Sequence, residues 1–468
     1  MPIKYGESMA TAITKNERDL TKGPIAKNLI LFAIPLIVTN IMQLLFNATD
    51  IAVLRFMVDE KAVASVGATS SLTQFIVNFF IGLSIGSSVV LSRCVGANDI
   101  NKARRVVGTA VSISLIGGFI LLLIGVFGSR FFLQLMGCPD TLIDGSTRYL
   151  QIYFLGAPIV LFYNFSAGML RAVGDTVRPM IYLMVAGVAN VVLNFFFIAV
   201  CGLTVEGVAI GTVAAQGISS VLAFIAMRKT DGYSKFSFKC FKIYKSELID
   251  IAKIGIPSAI QSTVFSISNV LIQSTVNSFG DFAVAGNTAA SQVDAFVYTS
   301  GNSIAHASIS FASQNYGAGK IDRVKKGIFI AIAIVFIVQF GVGLLMLTFA
   351  RPLTSIFAES ENALMYSRQR LDIMGLFYFL CGIMELLTYN MRALGKSMTS
   401  MVISIFFGCI MRIVWLKTFF LLNPTYAMIF YSYPISWILC IIVTTFFLVP
   451  LIKKLSMLAK NEKVEEIA

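Results

Sequence analysis

The sequence predicts an all-α polytopic membrane protein, with twelve transmembrane helices in two pseudosymmetric six-helix lobes. Of its 468 residues, 57% are hydrophobic and only 13% are charged, whereas soluble chains carry about 25% charged residues. Apolar runs of about 20 residues recur along the chain, and each is long enough to cross a hydrocarbon core of roughly 30 Å. The first half of this pattern is repeated in the second half. These three observations set the fold class.

The apolar runs define twelve candidate spans separated by short polar joints. The spans lie near residues 29–54, 66–92, 106–128, 147–170, 178–200, 205–227, 251–278, 284–312, 326–349, 368–391, 399–422 and 427–451. The polar N-terminal stretch lacks the short apolar region and cleavage site of a secretory signal, so we expect it to be retained. Seven scattered cysteines form no C-x-x-C pair, which argues against a disulfide framework or a zinc site.

Lys and Arg residues are concentrated at the two termini and in the even-numbered joints. By the positive-inside rule, this distribution places both termini in the cytoplasm and the chain in the cell inner membrane. The same distribution accounts for the net charge of +13, so we expect no nucleic acid as a partner. The most basic joint, residues 228–250, is expected to face the anionic head groups of the lipid bilayer rather than a dedicated partner.

Short motifs of the first half recur in the second half, in the same order and at a nearly constant displacement along the chain. The matched pairs are Gly96–Arg105 with Gly317–Lys326, Leu170–Gly174 with Met391–Gly395, Pro35 with Pro257, and Asn47 with Asn269. Because each half holds an even number of spans, the repeat is parallel, with its pseudo-twofold axis along the membrane normal. Duplicated lobes of this kind suit alternating access, and the sequence shows neither the filter motif nor the charged ring of a channel.

The repeat divides the chain into five predicted segments. They are a cytoplasmic N-terminal segment (1–28), an N-terminal lobe (29–227), a basic cytoplasmic linker (228–250), a C-terminal lobe (251–452) and a cytoplasmic C-terminal tail (453–468).

Asp50 is the acidic residue that lies well inside the apolar spans of the first half. A charged side chain there costs roughly 2.5–3.5 kcal/mol on insertion scales, so it is expected to face the bundle interior and to bind a proton or a small cation such as Na⁺. Polar side chains that could converge on it are Asn47, Asn164, Asn190 and Asn194. The alternative is a hydrated Asp50 near the outer interface, with asparagines that only tie helices together.

The second half contains a different set of buried polar residues. Glu385 and Arg412 lie on adjacent spans and are candidates for a buried ion pair, either a fixed strut or a switch broken by substrate. Asp294 lies either in the cleft, where it would attract cations, or at the outer rim. The lone histidine, His306, has few polar neighbours and is more often a satisfied interior residue than a proton relay.

Two prolines occupy matching places in the first helix of each half. Pro35 and Pro257 each remove one backbone hydrogen bond and permit a helix bend. Bending of the first helix beside Asp50 is one interpretation, and a static kink is the other.

Several stretches in this order resemble the multidrug and toxic compound extrusion (MATE) family, and its bacterial branch in particular. They are LTKGPIAKNLILFAIPLIVTNIMQLLFNATD, AVASVGATSSL, GMLRAVGDTVRPM, NVVLNFFFI, SQNYGAGKIDRVKKG and MRALGKSM. The resemblance spans about residues 20–455 and implies twelve helices in two lobes that export cationic amphipathic compounds in exchange for H⁺ or Na⁺. It also implies a coupling site in the N-terminal lobe, which Asp50, Asn164 and Asn190 match.

The chain departs from the family pattern at three positions. Asn194 stands where a second acid is common in the fifth helix, and Phe265 stands where some members carry an acid in the seventh. Glu385 lies a turn away from the acid that those members keep in the tenth helix. The resemblance therefore leaves the coupling ion open between H⁺ and Na⁺.

The expected function is a secondary active multidrug efflux antiporter, a monomer that exports small organic cations and needs no cofactor. The nearest alternative is a flippase for a lipid-linked saccharide or precursor, although such relatives more often have fourteen helices and a cationic cleft. An intramembrane enzyme is a distant third possibility, because it would need clustered acids or histidines on facing helices.

Overall fold

A computed structural model describes residues 17–58 and 60–467, and every regular element in this part of the chain is helical. The long helices are α1 (Ile25–Met57), α2 (Glu60–Gly96), α3 (Ile100–Leu135), α4 (Asp140–Leu155), α5 (Ala157–Ala172), α6 (Val177–Ala199), α7 (Val205–Lys229), α8 (Lys245–Asn277), α9 (Asp281–Gly317) and α10 (Ile321–Thr348). After them come α11 (Ala350–Thr354), α12 (Glu361–Ala393), α13 (Ser397–Ile403), α14 (Met411–Lys417), α15 (Phe419–Leu422) and α16 (Tyr426–Ile467). A π-helical segment (Ser404–Ile410) joins α13 to α14, and a 3-10 turn (Phe238–Cys240) precedes α8.

Each of the twelve predicted spans corresponds to a helix or to a broken helix. Within the described residues, ten helical stretches are long and apolar enough to cross a membrane. An eleventh span is broken, because α4 and α5 meet at Gly156 with a bend of 51°. The sequence analysis treated this region as one span, near residues 147–170. The twelfth predicted span, α9, is not among these stretches. It has 37 residues and carries many small polar side chains that are buried in the protein.

Gly174, the last residue of the repeated motif Leu170–Gly174, allows the chain to turn after the end of α5. Gly174 has φ +90°, and a Cβ there would collide with the backbone of Arg18. Its repeat counterpart, Gly395, ends α12 with φ 84°. A left-handed residue after a helix is most often glycine, because other side chains are strained there. The motif therefore ends two equivalent helices in the same way.

Unit 1 contains residues up to Asp19 and Val38–Gly255. Ion pairs from α3 to the start of α8 hold the chain that follows α7: Arg105 Nε to Glu247 Oε1 at 2.6 Å, and Lys102 Nζ to Asp250 Oδ2 at 3.0 Å. The Glu247 side chain is almost fully buried by this contact. The predicted basic linker is therefore packed against unit 1 by specific polar contacts.

Unit 2 contains Leu20–Ile37 and Ile256–Ala468. Its N-terminal stretch is held by Arg323, whose Nη2 donates hydrogen bonds to the carbonyl oxygens of Lys22 at 3.3 Å and Gly23 at 3.1 Å. Asn315 Nδ2 donates to the Leu20 carbonyl at 3.2 Å. Residues 1–16 of the predicted N-terminal segment lie outside the described part of the chain.

The first helix of each half begins in one unit and continues in the other. The division falls after Ile37 in α1 and after Gly255 in α8, close to Pro35 and Pro257 respectively. Both prolines lie inside continuous helices. Residues 29–37 therefore group with unit 2, whereas the sequence analysis assigned them to the N-terminal lobe.

Candidate cation-coupling site

The candidate site lies in unit 1, where α1, α6 and α7 bring one carboxylate and three neutral polar side chains together. Asn194 Nδ2 donates to Asp50 Oδ1 at 2.6 Å, and the Thr212 hydroxyl lies 3.4 Å from Asp50 Oδ2. Asn190 Nδ2 donates to the Thr212 hydroxyl at 3.2 Å. Asn190 and Asn194 are spaced i, i+4, so they share one face of α6. Asp50 is therefore held by donors from two other helices.

Close packing between α6 and α7 fixes the amide of Asn194. Asn194 is fully buried, and a Cβ on Gly211 of α7 would overlap its side-chain oxygen. That oxygen, Oδ1, has no hydrogen-bond partner. A buried carbonyl oxygen without a donor is costly, so it can accept a hydrogen bond from a protonated Asp50 or serve as a ligand for a small cation there.

An apolar cluster covers the side of the site that faces the α1–α2 and α6–α7 connections. It includes Leu54 of α1, Ile198 of α6 and Val208 of α7, each about one helical turn from Asp50, Asn194 or Thr212 in the direction of those connections. Leu54 and Val208 are fully buried. Water is therefore excluded on this side, which strengthens the electrostatic interactions of the carboxylate.

Two of the asparagines suggested by the sequence supply none of the described hydrogen bonds to Asp50. Asn164 donates through Nδ2 to the Val160 carbonyl of its own helix at 2.9 Å. Asn47 is exposed on α1 and does not supply any of the hydrogen bonds to Asp50 that the structure describes. Among the predicted residues, the structure brings Asp50, Asn190 and Asn194 together.

Asp294 lies in the interior of unit 2 and forms an ion pair that the sequence analysis missed. Arg370 donates to Asp294 Oδ2 through Nη2 at 2.6 Å and through Nε at 3.1 Å. Arg370 also donates to Asn287 Oδ1 at 2.6 Å and lies over the Phe430 ring. Arg370 lies near the start of the predicted span 368–391, and the hydrophobic pattern does not indicate that it pairs with Asp294.

The structure corrects the suggested pairing of Glu385 with Arg412. Glu385 accepts hydrogen bonds from the Tyr298 hydroxyl at 2.9 Å and from Asn302 Nδ2 at 3.0 Å. Arg412 Nε instead donates to the Ser436 hydroxyl at 3.0 Å. The two side chains point to different partners because Glu385 faces α9 whereas Arg412 faces α16.

Sequence reasoning also missed Thr212 and Arg392. Thr212 is one small polar residue among many, and only its packing against α6 reveals its role. Arg392 ends α12 in the repeated motif, yet it is buried, donates to Gln261 Oε1 at 2.7 Å and lies over the Tyr389 ring. His306 packs edge-on against the same Tyr389 ring, at 5.1 Å between centroids.

A family profile described as MatE matches residues 35–196 and 257–416, which is more than half of the chain. The chain belongs to the MatE family. The two matched segments correspond to the two halves of the repeat, which confirms the resemblance inferred from the motifs. Members of this family are transport proteins that need no prosthetic cofactor, so the chain is a multi-pass membrane transporter and not an enzyme. No group of three or more His, Cys, Asp or Glu side chains suited to a metal ion occurs in the described part.

Curated relatives are described as multidrug transporters. The probable multidrug resistance protein YoeA of Bacillus subtilis is 28% identical over 394 residues, covering 82% of this chain and 85% of the relative. The multidrug export protein MepA of Staphylococcus saprophyticus is 21% identical over 407 residues, covering 87% and 89%. These similarities support multidrug efflux as the type of transport.

Solved structures share the fold over almost the whole chain. An outward-facing multidrug resistance MATE transporter superposes with a TM-score of 0.89 at 23% identity, covering 95% of this chain and 99% of that one. A transporter from Pyrococcus furiosus, described as having a binding pocket of reverse polarity, gives 0.87 at 23% identity with the same coverage. The predicted two-lobe, twelve-helix fold is confirmed.

Proposed function

We propose that this protein is a secondary active antiporter that exports cationic amphipathic organic compounds in exchange for H⁺ or Na⁺, with Asp50 as the coupling residue. The observation that carries the proposal is the convergence of Asn194 and Thr212 on the Asp50 carboxylate, beside a buried apolar cluster. A single carboxylate held by neutral donors can change its charge without breaking an ion pair. Its occupancy by a cation can therefore alternate during transport.

The hydrogen bonds around Asp50 indicate how binding of the coupling ion would change the contacts between α1 and its neighbouring helices. The ionised carboxylate accepts from Asn194 Nδ2 and from the Thr212 hydroxyl. Protonation turns one carboxyl oxygen into a donor, and the unpartnered Asn194 Oδ1 is a nearby acceptor for it. A Na⁺ ion would instead use the same oxygen as a ligand. In both cases the contacts between α1 and α6 rearrange when the ion binds.

The remaining features of the proposal follow from charge distribution and from the relatives. We infer that both termini lie in the cytoplasm, because Lys and Arg residues are concentrated at the termini and even-numbered joints. We also propose that the protein is a monomer in the cell inner membrane. The organic substrates are small cations, in keeping with multidrug relatives such as MepA. The bend positions Pro35 and Pro257 are proposed to absorb the helix movement that accompanies transport.

Transport in proteoliposomes tests this proposal. Purified protein is reconstituted, a proton or Na⁺ gradient is imposed separately, and export of ethidium is followed by fluorescence. We expect one gradient to drive export in the wild type and Asp50→Asn to abolish that gradient dependence, because the amide cannot change charge. The matched control is Gln43→Ala, which removes an exposed polar side chain two turns earlier on α1.

The control variant is expected to retain gradient-driven export. Undiminished gradient-driven export by Asp50→Asn would remove Asp50 from the mechanism. Export that neither gradient drives in the wild type would overturn antiport itself.

A further inference from the structure

The structural repeat places a counterpart of the Asp50 site inside unit 2. The apolar clusters beside the two sites contain residues at positions that the repeat matches: Leu54 with Val276, Ala62 with Ala283, Val205 with Tyr426, Val208 with Ile429, and Ala209 with Phe430. Because both clusters consist of side chains in contact, their packing agrees with the correspondence that the sequence motifs indicate. The residues next to them can therefore be compared one by one.

The counterpart site in unit 2 has a positively charged residue and lacks the carboxylate. Ile272 is the repeat counterpart of Asp50 and is buried in the equivalent apolar cluster. In the same alignment of the two halves, Tyr433 corresponds to Thr212, and Met411, the residue before Arg412, corresponds to Asn190. Unit 2 therefore has a guanidinium next to the position where unit 1 has a neutral amide, and an aliphatic side chain where unit 1 has its carboxylate.

The π-helical segment Ser404–Ile410 explains why an arginine reaches this position. Within this segment the two halves still keep the register of Gly187 with Gly408. Each of these glycines lies against a phenylalanine ring of the first helix in its own half. A π-helical turn accommodates one extra residue, so the register of this helix shifts by one position after it. The extra residue turns Arg412 onto the face of the helix that Asn190 occupies in unit 1.

Arg412 is surrounded by aromatic rings rather than by acids. Arg412 is only 3% exposed. The guanidinium carbon lies 4.1 Å from the Tyr433 ring centroid and 5.9 Å from the centroids of Phe265 and Trp437. Its Nε donates to the Ser436 hydroxyl, which leaves the donors of both Nη atoms for another acceptor. Tyr433 and Phe265 are half-buried, so one side of the group borders accessible space.

The charge of Arg412 is not neutralised by the described residues. The two acids in the same part of unit 2 are used elsewhere, since Asp294 is paired with Arg370 and Glu385 is bound by Tyr298 and Asn302. None of the described carboxylates forms an ion pair with Arg412. Beside it, the buried indole N–H of Trp437 also has no acceptor. A guanidinium without an ion pair, next to a buried N–H donor without an acceptor, makes an anion the favoured occupant.

We propose that Arg412 and Trp437 form an anion-binding site that takes the carboxylate of an aromatic compound. The guanidinium presents two parallel N–H donors to a planar carboxylate, and the rings of Tyr433 and Phe265 offer faces for the aromatic part of the ligand. The site extends the proposed efflux function, on which its role in transport rests, from purely cationic compounds to aromatic acids and zwitterions. Binding itself does not depend on coupling at Asp50.

The chain offers an internal reporter for this site, because Trp437 is one of only two tryptophans. In a Trp415→Phe background, the emission of Trp437 is recorded during titration with benzoate and, separately, with its neutral analogue benzamide. The protein is the full chain in detergent. Three further variants are made in this background: Arg412→Gln, Arg412→Lys, and Lys325→Ala as a surface control.

We expect benzoate, but not benzamide, to give a saturable change in Trp437 emission. Arg412→Gln should weaken benzoate binding by about tenfold or more, because it removes a charge-assisted hydrogen bond. Arg412→Lys should retain part of the response, and Lys325→Ala all of it. Equal responses to benzoate and benzamide, no response to benzoate in the parent, or an unchanged response in Arg412→Gln would each overturn the anion site. None of these outcomes bears on gradient-driven export of ethidium, which tests the proposed function separately.

Discussion

Gly211 offers a test of the Asp50 site, because it makes no contact with Asp50 that the structure describes but leaves the space that the Asn194 amide occupies. A Cβ at this position of α7 would overlap Asn194 Oδ1, so Gly211→Ala must push the amide away from α7. Asn194 is fully buried and has little room to move. Its 2.6 Å hydrogen bond to Asp50 Oδ1 is therefore expected to break.

The size of the effect follows from the kind of hydrogen bond that is lost. A hydrogen bond to a charged group contributes about 1.5–3 kcal/mol, so gradient-driven ethidium export should fall by about tenfold or more. Gly217→Ala is the matched control. It makes the same change on the same helix, where a Cβ would have nothing within 4 Å. Both variants gain the same helix propensity, about 1 kcal/mol.

The assay compares initial rates of ethidium export in proteoliposomes at equal protein content, with folding checked by size-exclusion profile. If Gly211→Ala exported ethidium as fast as Gly217→Ala, the contact between Asn194 and Asp50 would have no part in coupling. A variant that fails to fold is replaced by the pair Asn194→Ser and Asn194→Ser/Gly211→Ala. Serine leaves room for the added methyl group, so the two members of this pair should export equally slowly. A further loss in the double variant would refute the reasoning.

Two further predictions concern polar contacts in unit 2. Asp294→Leu or Arg370→Met alone should destabilise the protein by roughly 3–5 kcal/mol, because each leaves a buried charge unpaired, whereas the double variant should recover most of the loss. Thermal unfolding in detergent measures this, and additive losses would contradict it. Arg323→Ala should release the segment around Lys22, seen as faster tryptic cleavage there, because three backbone carbonyls each lose one hydrogen bond. The exposed Lys325→Ala serves as control, and equal cleavage rates in the two variants would argue against the contact.

The Asp50 site shows which functional residues could be predicted from the sequence and which could not. Asp50 was recognisable because a carboxylate in an apolar span is costly. The pair of asparagines on α6 was recognisable from their i, i+4 spacing. Thr212 and Gly211 were not, because a threonine and a glycine in a helix gain their roles only from the helix packed against them.

Arg370 and Arg412 show the same limit for charges. Arg370 lies at the edge of an apolar run, where a charged side chain is usually solvated, yet it pairs with Asp294. Arg412 looked like a partner for Glu385, because the two lie on adjacent spans. The π-helical turn before Arg412 rotates it toward α16 instead, and such a turn leaves no clear signal in the hydrophobic pattern.

The sequence by itself determined the membrane class, the number of spans and the repeat, because bilayer thickness and hydrophobic burial act on every residue of a span and leave a pattern that can be counted. It also determined that Asp50 is exceptional. Only the tertiary structure decided which polar side chains meet, since these contacts depend on helix rotation and on single close approaches such as that of Gly211 to Asn194. A rotation of one residue moves a side chain by about 100° around its helix, enough to exchange one partner for another.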